Sequence, residues 1–83
     1  MALSRASLIA QQKFTKNAHT RWVRGTVSDG EMAQAMHDLA VEYLFAADWL
    51  VESKALQGKY TALARINAEQ AARLCPKGMR LGR

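Results

Sequence analysis

The sequence predicts an all-α protein, either a small three-helix bundle or a helical hairpin, with a long acidic central helix. Three observations carry that prediction. Breakers are few, with one proline, Pro76, and five glycines, while alanine and other helix formers dominate. Apolar residues recur at intervals of three and four, and no alternating strand pattern of useful length occurs. Charge is also segregated into blocks. Residues 1–27 hold Arg5, Lys13, Lys16, Arg21 and Arg24 and no acid. Residues 28–53 hold Asp29, Glu31, Asp38, Glu42, Asp48 and Glu52 and no Lys or Arg. Residues 54–83 are basic again, so the block charges are +5, −6 and +6. Oppositely charged neighbours attract and like-charged ones repel, which puts the middle segment beside both flanks. Exposed pairs contribute little each, so the pattern selects topology more than stability.

The first helix is expected over residues 4–24, with Ser4 as N-cap. Leu8, Gln11, Phe14, Ala18 and Trp22 make a loose apolar stripe, and Gly25 is placed to end the helix. Ser28 then opens Ser-x-x-Glu with Glu31, which is capping-box spacing, and Val27 can staple onto Met32. Asp29 and Glu31 suit the positive end of the helix dipole.

The second helix is expected over residues 29–56. At about 100° per residue, Met32, Met36, Leu39, Tyr43, Ala47 and Leu50 share a side, and Ala40, Leu44 and Val51 widen it. The rest of the helix is unusually apolar for a solvent face. Val41, Phe45 and Trp49 form a second stripe among Asp38, Glu42, Asp48 and Glu52. Gly58 is read as a turn or a kink, with a third helix from about Lys59 to Leu74. Leu56, Tyr60, Leu63, Asn67, Ala71 and Leu74 share a face there. Pro76 ends the helix, which gives a single domain over residues 1–75 and a flexible basic tail over 76–83.

Several function classes lose support on this reading. A chain of 83 residues is one domain, and its length lets it bury only about 60–65% of its unfolded surface. Partner-assisted stability therefore has weight. Cys75 is the sole cysteine, so no intrachain disulfide forms, in keeping with a cytoplasmic setting. No run approaches a membrane span, and Leu8 to Ala10 is too short for a signal core. Metal and cofactor sites are not expected, because Cys75, His19 and His37 share no ligand spacing. Catalysis is not expected either. Cys75 follows a helix C-terminus, where the dipole disfavours a thiolate, and neither His has a nucleophile or carboxylate partner in sequence. No glycine-rich phosphate loop occurs.

Two surfaces remain. Asp38, Val41, Glu42, Phe45, Asp48, Trp49 and Glu52 combine aromatic anchors with a charged rim, as protein interfaces do. Lys13, Lys16, Arg21, Trp22 and Arg24, with Lys77, Arg80 and Arg83 of the tail, could instead bind nucleic acid non-specifically through phosphates. In size, basicity and lack of a catalytic set, the chain resembles compact accessory proteins of bacteriophages and other mobile elements. That resemblance implies action by binding a larger protein machine and modulating it, most simply by inhibition. A homo-oligomeric structural role, with the aromatic stripe buried between copies, is a further expectation.

Overall fold

The signals around Gly25 fold as their chemistry requires. In the computed structural model, which describes residues 5–49 and 53–82, α1 spans Arg5–Val23 and α2 spans Asp29–Trp49. Gly25 between them has φ +83°. Its N–H donates to the Trp22 carbonyl at 3.0 Å, and the Thr26 N–H donates to the Arg21 carbonyl at 2.8 Å. Those paired bonds are a Schellman ending, which needs the left-handed φ that glycine adopts without strain. The capping box follows. The Glu31 N–H donates to Ser28 Oγ at 3.1 Å, and the Ser28 N–H donates to Glu31 Oε1 at 3.4 Å. Val27 packs into the same apolar cluster as Met32, completing the staple. Ser4 lies outside the described residues.

The second boundary falls earlier than expected. α3 spans Lys54–Leu74 with Ser53 as its N-cap, and Gly58 lies inside the helix. Ser53 caps it by accepting from the Leu56 N–H at 3.4 Å. A side-chain acceptor for an orphan amide sets this start, whereas a lone glycine only lowers propensity. Leu56 belongs to the first turn of α3 and not to α2. Leu50, Val51 and Glu52 lie outside the described residues.

The architecture is an all-α three-helix bundle with α2 in the middle. Polar contacts show α1 antiparallel to α2: Trp22 Nε1 donates to Asp29 Oδ1 at 2.7 Å, Thr15 Oγ1 to the Ala35 carbonyl at 3.3 Å, and Gln12 Nε2 to Tyr43 Oη at 3.0 Å. α3 is antiparallel to α2 as well. Gln57 Nε2 donates to the Ala47 carbonyl at 3.0 Å, Tyr60 stacks on Tyr43, and Leu74 packs near Met32. Among the described residues α1 and α3 nowhere approach within 8 Å between Cα atoms. The bundle is therefore open along one side. Its radius of gyration of 13.1 Å exceeds the ~12 Å of a fully compact chain of this length.

Alanine dominates the buried set. Ala33, Ala40 and Ala47 recur every seven residues on α2, and Ala64 and Ala71 recur every seven on α3, all of them buried. The Gln57 to Ala47 bond puts the α2 row on the α3 side. Methyl side chains let helix axes approach closely. Larger apolar residues cluster beside this seam. Leu8, Leu39, Tyr43 and Ala46 pack with Tyr60 and Leu63 near one end, and Ala18, Met32 and Ala35 pack with Trp22, Met36 and Leu74 near the other.

Two residues expected in the core lie outside it. Phe14 is 61% exposed, and the buried line on α1 runs Leu8, Thr15, Ala18. Thr15 faces Ala35, where the backbones are near enough for its hydroxyl to reach the Ala35 carbonyl. Leu44 is 52% exposed, about 40° around α2 from the alanine row and on the side away from α1.

A methyl added at Gly58 meets nothing within 4 Å. Gly58→Ala should therefore stabilise the fold by about 0.5–1 kcal/mol and raise its melting temperature by roughly 2–8 °C. Thermal melts by circular dichroism check this, and a lower midpoint would contradict a helical Gly58.

Candidate functional site

The outer face of α2 is the side turned away from both flanking helices. A single ridge runs along it at helical spacing through Gly30, Gln34, Asp38, Val41 and Phe45. The two halves of this ridge differ in what covers them.

The N-terminal half is covered by the chain's own C-terminal segment. After α3, the Met79 N–H donates to the Pro76 carbonyl at 3.2 Å, closing a turn in which Gly78 has φ +85°. The Cys75 Sγ donates to the Met79 carbonyl at 3.3 Å, so the lone thiol braces that turn. The turn lays the chain on Gly30, where a Cβ would come within 2.8 Å of Met79 Sδ and 3.7 Å of Pro76 Cγ. Further along, Gln34 pairs with the Gly82 peptide. Gln34 Nε2 donates to the Gly82 carbonyl at 2.8 Å, and the Gly82 N–H donates to Gln34 Oε1 at 3.4 Å. The second Nε2 proton goes to Asp38 Oδ1 at 2.8 Å. Residues 76–82 thus lie along α2 instead of projecting as the free tail that composition suggests. Lys77 and Arg80 remain exposed on it, and Arg83 lies outside the described residues.

Among the described residues nothing comparable lies over the C-terminal half. Phe45 is 44% exposed and Trp49 37%, while Val41 is half-buried. Leu44 extends the patch on its other flank. Sequence reasoning missed this residue because an apolar side chain near a core stripe looks like core. Asp38, half-buried, and Asp48, exposed, bracket the patch. Glu42 does not, because it is only 2% exposed. One turn from Leu39 and Ala46, it lies on the α1 side of α2, and the approach of α1 removes it from any rim. Trp49 also lines a notch of about 320 Å³ with Leu8, Ile9, Leu56 and Tyr60, so one edge of its ring faces α1 and α3.

The residues proposed for nucleic acid do not form one site. Lys13, Lys16, Arg21 and Arg24 are exposed, but Lys16 and Arg21 point about 140° apart on α1. Trp22 is half-buried, and its indole N–H is held by Asp29, so it works at the α1–α2 joint. His19 lies against Trp22 with ring centroids 5.7 Å apart. Between α1 and α3 a groove of about 490 Å³ exposes Lys16, His19, Asn67 and Gln70 above a floor of Met36 and Leu39. The Asn67 Nδ2 donates to the Leu63 carbonyl in its own helix, which fits the wet edge of the α3 stripe.

Among the described residues no group of three His, Cys, Asp or Glu side chains converges as metal ligands would, and no helix is long and apolar enough to cross a membrane. Comparison with known protein families, curated proteins and solved structures finds no match for this chain.

Removing the Gln34 amide should free the C-terminal segment. Each hydrogen bond contributes about 1 kcal/mol net, so Gln34→Ala should raise the rate of tryptic cleavage after Lys77 or Arg80 by roughly 5- to 30-fold. Helix content should stay unchanged, as read by circular dichroism beside timed digestion.

Proposed function

We propose that this chain is a non-catalytic interaction protein that binds a larger protein through the outer face of α2 and modulates it, inhibition being the simplest effect. One observation carries the reading. The chain leaves aromatic residues in the open: Met32 is the largest fully buried side chain, while Phe45 and Trp49, one turn apart on α2, stand 44% and 37% exposed. Scattered exposed apolar residues are ordinary, but a contiguous patch with aromatic anchors is what a docking surface needs. Its bracketing acids would sit at the rim, where they steer and select more than they hold. Binding free energy is what such a surface can supply. Modulation then means covering a working surface of the partner or favouring one of its conformations. This is the mode of action expected of a small accessory protein of a phage or mobile element.

A second reading has one observation in its favour. Every cation of residues 13–24 is exposed, and no acid lies among them. Non-specific contact with phosphates through Lys13, Lys16, Arg21 and Arg24, with Lys77 and Arg80 added, would follow.

The two readings separate in solution. Phe45→Ala with Trp49→Ala should abolish capture of the partner from lysate of the native host, read by mass spectrometry, while circular dichroism and melting stay near wild type. Retained capture would refute the α2 surface. The nucleic-acid reading expects binding to duplex or single-stranded DNA at low salt, with log affinity falling against log salt by a slope about one to two units shallower in Lys13→Ala, Lys16→Ala. No binding at low salt would dismiss it.

A further inference from the structure

The C-terminal segment shows what kind of chain the α2 face accepts. Past its turn it is free of helix, and Met79 and Leu81 are half-buried while Arg80 between them is exposed. That two-residue alternation is the habit of an extended chain with one side on a surface. It runs in the same direction as α2, from Gly30 beneath Met79 to Gln34 beside Gly82. Ahead of it the same ridge continues through Asp38 and Val41 to Phe45, where Phe45 and the neighbouring Leu44 stand open.

We infer that the open half of this ridge binds an extended segment of a partner protein in which apolar and basic residues alternate, continuing the line its own tail takes. This rests on the protein-binding reading above and names the chemistry of the partner. Three observations converge on it. The face already seats such a segment, with Met79 and Leu81 half-buried and Arg80 between them exposed. α2 carries acids and no Lys or Arg, so a cationic partner is attracted and an anionic one repelled. The length also fits. From Asp38 to Trp49 the helix rises about 17 Å, which about five extended residues span. Apolar side chains of the partner would rest on Val41, Leu44 and Phe45, and its cations would lie toward Asp38 and Asp48.

The test uses the full chain and three labelled ten-residue peptides followed by fluorescence anisotropy at low salt. One alternates Arg and Leu, one alternates Glu and Leu, and one has the Arg–Leu composition rearranged to helical spacing. The alternating Arg–Leu peptide should bind at least about tenfold more tightly than either other peptide, and Phe45→Ser, Leu44→Ser or Asp48→Lys should each weaken it by about tenfold. The two serine positions are exposed, so at least one variant should keep wild-type helix content. Equal binding of the acidic peptide, preference for the helical arrangement, or indifference to all three substitutions overturns the inference. Should partner capture still depend on Phe45 in that event, the protein-binding reading survives without it. Capture that ignores Phe45 removes both.

Discussion

The alanine row between α2 and α3 sets how closely those helices approach, and much of the molecule follows from that distance. Ala33 and Ala71 are fully buried and Ala40 and Ala64 nearly so. These small side chains leave the two backbones near one another, and the Gln57 side chain reaches the Ala47 carbonyl. A seam this narrow has no space for large side chains. They are displaced to its edges, where Tyr43 stacks on Tyr60 on one side and Leu44 stands in solvent on the other. A core of alanines also buries little apolar area per residue, so the hydrophobic contribution of each position is small.

α1 attaches to this pair by a more polar interface. Thr15 and Gln11 approach the Ala35 carbonyl, Gln12 reaches the Tyr43 hydroxyl, and Trp22 bonds Asp29 at the joint. These bonds fix where α1 lies along α2. Because α1 and α3 flank α2 with their backbones apart, one side of α2 becomes the floor of a groove and the opposite side is left as the outer face. The charge order of the sequence agrees with this arrangement, since the acidic helix has a basic segment on each side and the two basic segments stay apart.

The outer face then combines two kinds of surface on one ridge. Gly30 and Gln34 are matched to the chain's own backbone, the first by lacking a Cβ and the second by offering a donor and an acceptor to one peptide group. Val41, Leu44, Phe45 and Trp49 are apolar and have no such match within the chain's described residues. A small protein that packs alanines inside and leaves these outside has its largest apolar contacts available for another molecule.

What the sequence determined by itself is local. Ser28, Glu31 and Gly25 act within one turn of their own backbone, so the end of α1 and the start of α2 were legible from spacing alone. The all-α class and the central place of the acidic helix were legible too, because periodicity and charge sign act whatever the detailed packing. The Ser53 cap is local as well, and a capped amide matters more than one weak helix former such as Gly58. The tertiary structure decided the rest. Glu42 became buried and Phe14 and Leu44 exposed, since a helical wheel orders residues by angle but does not say which angles neighbouring helices cover. Those angles follow from the alanine seam and from Thr15 against Ala35, which are contacts between residues distant in the chain. The same contacts left Phe45 and Trp49 on the open side of α2.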